Sequence, residues 1–295
     1  MLTITVPGST ANLGPGFDSI GLALSKYLKL NVILSEKWCF IPKTEEVVGI
    51  PSGKENLIYT IASNTARQFN KSLPPCSIEV WSDIPLARGL GSSAAAIAAG
   101  IELANALCGL DLTQEEKVRI GSLSEGHPDN IGASLLGGLV VGKHNEESTF
   151  VVKLGEFDVD INVVIPPYKV MTREARKVLP NTFTFQHAVQ ASSVSNVLLA
   201  ALFTKNWEIA GRMMEQDMFH QTYRLGLIPE IEDIRTIARE GGAFGVALSG
   251  AGPTVICFSE KGRGVDVGSI LSEHFPKYKV EQLAIDYVGS RVECR

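Results

Sequence analysis

Pro85-Leu86-Ala87-Arg88-Gly89-Leu90-Gly91-Ser92-Ser93-Ala94-Ala95-Ala96 is the stretch that decides the fold. Its glycines allow a backbone to approach a ligand closely. The residues after it carry an apolar face at helical spacing, Ala94, Ile97, Ile101, Ala104 and Leu107, and Gly109 is a natural stop. A helix opening at 91–92 directs unpaired N–H groups and its positive end at the loop, which suits a phosphate. Ser92 and Ser93 add hydroxyls for phosphate oxygens or a Mg²⁺-bound water. A Walker A loop requires lysine before the serine, and none is present. Gly89-x-Gly91-x-x-Ala94 matches the letters of a dinucleotide fingerprint, which needs a strand directly before the loop and another after the helix. Here Pro85 intervenes and 110–124 reads as helix. A Gly-Ser cap on a core helix is the plain alternative for the loop by itself.

Outward from the loop, Leu2, Ile4 and Val6 alternate with Thr3 and Thr5, predicting a strand that Pro7-Gly8 ends. A second strand is expected over 28–34, a helix over 56–69 and a short strand at 78–80. A helix over 114–124 and a strand over 139–142 follow. The polar segment 144–148 is the expected boundary between lobes 1–150 and 151–295. The second half predicts a strand over 161–165, helices over 172–178, 187–203, 206–219 and 230–240, and strands over 246–248 and 254–258. Ser249-Gly-Ala-Gly-Pro253 joins those two strands, and helix and strand alternate once more. Without a strict βαβ rhythm, the class is α+β rather than doubly wound.

The bulk numbers narrow the function. At 295 residues with 45% apolar and 20% charged side chains, two lobes are expected. A net charge of −5 without basic runs argues against nucleic-acid or membrane-surface binding, though an anionic small molecule still fits a locally basic site. Five cysteines with no C-x-x-C pair predict reduced thiols, neither a disulfide framework nor a zinc site. No signal peptide or spanning segment is evident, so a cytoplasmic location is expected.

Three segments in order, Pro7-Gly-Ser-Thr-Ala-Asn-Leu-Gly-Pro-Gly-Phe-Asp18, the Gly-Ser loop and Ala247-Leu-Ser-Gly-Ala-Gly-Pro253, resemble the GHMP kinases across nearly the whole chain. The resemblance implies a two-lobed GHMP kinase fold. Its N-terminal lobe is like domain 2 of ribosomal protein S5, and its C-terminal lobe is ferredoxin-like. ATP would lie between the lobes on Pro85, Leu86, Ala87, Arg88, Gly89, Leu90, Gly91, Ser92, Ser93, Ala94 and Ala95. Asn56 matches an adenine-site asparagine but reads almost as well as a helix cap. Whether the Arg88 side chain meets phosphate or solvent stays open.

The N-terminal motif is most similar to that of family members acting on homoserine, as is Glu125-Gly-His-Pro-Asp-Asn130. By that resemblance Glu125 and Ser92 (or Ser93) would hold Mg²⁺. His127, Asp129 and Asn130 would line the acceptor site by the transferred phosphoryl, with Asp129 a binding group first and a base second. Asn12, Asp18, Thr172, Arg176 and Arg224 would bind the acceptor. Thr172 and Arg176 stand one helical turn apart and share a face. An amino-acid acceptor needs a carboxylate for its ammonium and an arginine fork for its own carboxylate. The implied reaction is ATP plus L-homoserine to ADP plus O-phospho-L-homoserine, a step of threonine biosynthesis. A mevalonate or sugar acceptor, or a catalytically silent nucleotide or metabolite sensor, are the alternatives, in which Asn12 and Asp18 would only cap turns. A homodimer through an exposed edge of the C-terminal lobe is also expected.

Overall fold

The computed structural model describes residues 1–156 and 158–294. In chain order the first lobe holds β1 (Leu2–Asn12), β2 (Gly16–Leu34), β3 (Cys39–Pro42), α1 (Leu57–Gln68), β4 (Cys76–Ser82), α2 (Ser92–Cys108), α3 (Gln114–Glu125), α4 (Asp129–Leu136), β5 (Leu139–His144) and β6 (Thr149–Lys153). The second holds β7 (Val159–Ile165), α5 (Thr172–Lys177), α6 (Phe185–Phe203), α7 (Trp207–Glu215), α8 (Gln221–Arg224), α9 (Ile231–Glu240), β8 (Ala243–Leu248), β9 (Val255–Glu260), α10 (Gly264–His274) and β10 (Lys279–Leu283). The chain then returns to the first lobe as β11 (Arg291–Cys294).

The larger sheet runs β11-β1-β2-β4-β3, with β5 on β2 and β6 on β5. Helices α1, α2 and α4 supply Ile58, Ile61, Ile97, Ile101 and Ile131 to a core shared with Ile4, Val6, Leu22 and Leu30 of the sheet. α2 is buried on nearly every side, as its alanine-rich sequence demands, and Gly109 caps it in the left-handed conformation. α3 opens on a capping box in which Thr113 and Glu116 satisfy each other's backbone N–H groups. The smaller sheet, β10-β7-β9-β8, is antiparallel throughout. With α9 and α10 it makes the βαββαβ order of a ferredoxin-like sandwich. Ile231, Ile234, Val246, Val255, Val267 and Leu271 fill its core.

Several boundaries differ from the sequence expectation. Pro7-Gly8 does not end β1. A register shift between them absorbs the missing proline N–H, and pairing with β2 resumes at Gly8↔Leu24. β2 starts at Gly16 rather than near 28, because its first half pairs with β1 and β5. β3, α4, β6 and β11 were not expected at all. The split at 150/151 falls inside the β5–β6 hairpin, and β11 pairs with β1 in the register Leu2↔Cys294. The outer strand β10 carries Lys279 and Glu281, which pair with each other, and Glu281 also pairs with Lys26. Such charges guard an edge against pairing with a second copy.

Candidate active site

The Gly-Ser loop is shaped by where its carbonyls go. Those of Ala87, Arg88, Gly89 and Leu90 accept hydrogen bonds from Val170 N, Thr254 N, Ser249 Oγ and Ser9 N respectively. With the carbonyls taken by the surrounding protein, no backbone acceptor is found among the described residues for the N–H groups of 89–94. Ala87, Gly89 and Gly91 all have positive φ (58°, 77° and 73°). Gly91 sits so close to β1 that a Cβ there would lie 2.3 Å from Ser9 Oγ. The result is a concave run of donors at the positive end of a seventeen-residue helix.

A cavity of about 100 Å³ opens beside this loop, and the predicted segments converge on it. Asn12 comes from the end of β1 and Asp18 from the start of β2, on either side of the turn that joins them. Glu125, His127, Asp129 and Asn130 come from the junction of α3 and α4. Thr172 and Arg176 come from one face of α5, Arg224 from α8, and Gly250–Gly252 from the β8–β9 turn. Asn12 and Asp18 both lie at positive φ (75° and 53°), and the Asp18 amide donates to Asn12 Oδ1 at 3.1 Å. That bond fixes a loop displaying the Asp18 carboxylate. Arg173, between Thr172 and Arg176 in sequence and turned about a quarter-turn away on α5, does not line the cavity.

Charge in the cavity is arranged in two clusters. Asp18 and Arg176 form a two-point ion pair at 2.7 and 3.0 Å, reaching from one lobe to the other. His127 Nδ1 lies 2.5 Å from Asp129 Oδ1, which also accepts from the Asn130 amide. Burial works against the imidazolium of His127, but the carboxylates of Asp129, Glu125 and Asp18 raise its pKa to about 9, so the ring is a cation at neutral pH. Burial raises the Glu125 carboxyl to about 7, opposed by His127, and by Ser93 and Arg176.

Arg224 differs from the sequence expectation of a free two-point clamp. It is 2% exposed. Its Nε donates to Ala175 O, and Nη1 donates to Gly250 O and His220 Nδ1. Only Nη2 is left to face a ligand. His220 was missed as a site residue although it begins the stretch containing Arg224. It is fully buried, its Nε2–H donates to Gly14 O at 2.9 Å, and its Nδ1 therefore accepts from Arg224. Burial, with help from Arg224, lowers its pKa to about 4 and keeps it neutral. Phe17 was also missed. Its ring stacks on His220 at 5.3 Å, and the guanidinium carbons of Arg176 and Arg224 lie 5.4 and 5.5 Å from its centroid. Only its place inside the quoted N-terminal motif hinted at a role.

Other predicted residues serve the frame. Asn130 Nδ2 donates to Ser9 Oγ, tying α4 to β1. Asn56 caps α1 by accepting from Ile58 N and donating to Pro51 O. It also borders a second, mostly apolar cavity of about 260 Å³ lined by Val47, Ile50, Pro51, Ile84 and Leu86. Ala87, Ser92 and Ser93 line both cavities, so the loop is the wall between them. Leu90, Ala94 and Ala95 are buried in the core behind the loop; they and Pro85 line neither cavity. The Arg88 side chain turns to the second lobe, donating from Nε to Tyr168 O and from Nη2 to Pro167 O.

The residues present fit a hard divalent cation. Glu125 Oε2 is buried without a hydrogen-bond partner, and Ser92, Ser93 and Asp129 share its cavity. An all-oxygen set of this kind suits Mg²⁺ with retained waters.

Fold and site together define a phosphate-binding two-lobed phosphotransferase. Residues 56–138 match the model of the GHMP kinases N terminal domain and 198–277 that of the GHMP kinases C terminal, and the chain belongs to the GHMP kinase family. Its curated relatives are narrower in name. The homoserine kinase of Bacillus velezensis is 54% identical over 293 residues, covering 99% of this chain and 95% of the relative. That of Halalkalibacterium halodurans is 53% identical over 290 residues, covering 98% and 94%. The solved homoserine kinase of Cytophaga hutchinsonii superposes with a TM-score of 0.87 at 26% identity, covering 99% of this chain and 97% of that one.

Proposed function

We propose that the protein transfers the γ-phosphoryl group of ATP to the side-chain hydroxyl of L-homoserine, as a cytoplasmic enzyme of threonine biosynthesis. The observation that carries the acceptor is the Asp18–Arg176 pair, set in one cavity with Arg224 and the phosphate loop. A zwitterionic amino acid replaces that pair in kind: its ammonium takes Asp18 and its carboxylate takes Arg176 and the free Nη2 of Arg224. Mevalonate and sugars have no ammonium with which to compensate Asp18. No helix among the described residues is long and apolar enough to cross a membrane.

The adenine occupies the apolar cavity beside Asn56, and the phosphates lie on the amides of 89–94. Phosphoryl transfer asks for alignment and for neutralised charge. The loop amides and the His127 cation supply fixed positive charge. Glu125 and Ser92 or Ser93 would hold Mg²⁺, which would supply further neutralisation of the phosphate charge. Asp129 already accepts from His127 and the Asn130 amide, so we assign it to holding His127 rather than to removing the acceptor's proton.

Purified protein is expected to release ADP with L-homoserine and Mg²⁺, and far more slowly with L-serine or mevalonate. A coupled ADP assay checks this. A mevalonate rate equal to or above the homoserine rate overturns the acceptor and leaves the family standing.

Arg224→Lys tests the clamp. One ammonium nitrogen cannot stand where both Nε and Nη1 stand, so Ala175 O or the pair Gly250 O and His220 Nδ1 loses its donor, and each buried group left unpaired costs about 1–3 kcal/mol. The melting temperature is expected to fall by several degrees, at roughly 2–4 °C per kcal/mol. The KM for homoserine is expected to rise about tenfold or more, with that for ATP nearly unchanged. An unaltered KM for homoserine at a lowered melting temperature assigns Arg224 to the frame alone.

A further inference from the structure

Three of the four donors that hold the phosphate-loop carbonyls come from the second lobe: Val170 N, Thr254 N and Ser249 Oγ. The same two segments carry acceptor-side groups. Thr172 and Arg176 follow Val170 directly, and Gly250 O accepts from both Asn12 and Arg224. Arg88 adds the one long side chain in the loop that crosses between lobes, its fork closing on Tyr168 O at 3.0 Å and Pro167 O at 2.8 Å. The far side of this segment is fixed too, since Tyr168 Oη donates to Glu230 Oε2 at 2.8 Å. Meanwhile Ala87, a non-glycine residue at φ 58°, is held in a conformation its side chain disfavours. Its carbonyl is taken by Val170 and it faces both cavities.

We infer that Arg88 is a positioning residue that couples the two cavities: by fastening the loop to 167–170, it makes occupation of the acceptor clamp at Thr172 and Arg176 favour the loop shape that binds phosphate. Acceptor and nucleotide therefore tighten each other's binding by one common factor. The guanidinium acts through backbone carbonyls and not through the nucleotide. The inference rests on the acceptor reading given above.

Calorimetric titration of the full-length protein with Mg²⁺ and a non-hydrolysable ATP analogue, with and without saturating L-homoserine, measures the factor. The unaltered protein is expected to show tightening of about fivefold or more, the lower end of ordinary coupling between sites. Arg88→Met, which keeps the aliphatic stem and removes the fork, is expected to bring the factor below about twofold. Arg88→Lys, able to reach one carbonyl, is expected to fall between them. A fold defect alone would weaken both ligands and leave their mutual factor unchanged, and a melting curve on each variant excludes gross unfolding. A factor unchanged in Arg88→Met, or absent in the unaltered protein, overturns the coupling. Homoserine turnover measured in parallel separates the two claims. Normal turnover with an unchanged factor overturns the coupling alone, whereas no turnover in the unaltered protein overturns the acceptor reading and the coupling with it.

Discussion

Gly91→Val is expected to leave no measurable turnover. Gly91 is the N-cap of α2 at φ 73°, and its Cβ would lie 2.3 Å from Ser9 Oγ and 2.8 Å from Ser9 N. A β-branched residue in the left-handed region costs roughly 1–2 kcal/mol before any collision. Overlap with the backbone of an inner strand adds about 1–3 kcal/mol. The loop escapes only by moving off β1, which also breaks the bond from Ser9 N to Leu90 O. A displacement of about 1 Å in groups that align a reaction costs on the order of a hundredfold. The collision lies behind the loop, against Ser9 of β1, and not on the side that faces the cavity. ATP affinity and melting temperature should therefore fall together. Wild-type turnover in a stable Gly91→Val protein would mean that the loop does not hold the phosphates.

Glu125→Gln is expected to separate activity from stability. In the folded protein burial delays ionisation of Glu125 to about pH 7, against an ordinary 4.5. Between these values the folded state keeps a proton that the unfolded state has released. Stability from this group therefore falls as pH rises from about 4.5 to about 7, and above that the buried anion is a standing cost. Glutamine escapes it, so at pH 8 without Mg²⁺ the variant is expected to melt higher than the unaltered protein. Its kcat is expected to drop by about a hundredfold, the scale of a few kcal/mol of charge stabilisation. With Glu125 as the proposed Mg²⁺ ligand, cation binding to the unaltered protein would have to displace its proton below about pH 7, so apparent Mg²⁺ affinity is expected to fall about tenfold per pH unit there. Calorimetric titration of Mg²⁺ at several pH values and melting curves of both proteins check these signs. Full activity in Glu125→Gln removes Glu125 from the cation site.

The Gly-Ser loop was legible as structure because its signal is local. Glycines at fixed positions and an apolar helical face after them describe one loop and one helix, and both are found. The ordered motifs converge on one cavity, and all eight residues singled out for its acceptor side line it. What escaped depends on partners far away in the chain. Arg224 looks like a free clamp until Ala175 O and Gly250 O appear beside it. Arg88 gives no hint that Pro167 O lies within reach. Phe17 and His220 acquire meaning only by touching each other. Pro7-Gly8 reads as a stop, yet the long β2 carries β1 past it. Strand β11 has too few residues to announce itself, and its place is set by β1 at the opposite end of the numbering.

That last pairing bears on how the protein is made. On the ribosome β1 emerges before the rest of both lobes, and its hydrogen-bonding partner on one side, Arg291–Cys294, emerges after them. Until then the edge of β1 presents unpaired backbone groups flanked by Leu2, Ile4 and Val6, a template for pairing with another nascent chain. Tyr27 and Arg291 meet on the buried Asp286 only once this closing segment arrives. Growth at high expression levels should therefore expose the incomplete sheet edge to aggregation, and removal of 286–294 should leave that vulnerability permanent.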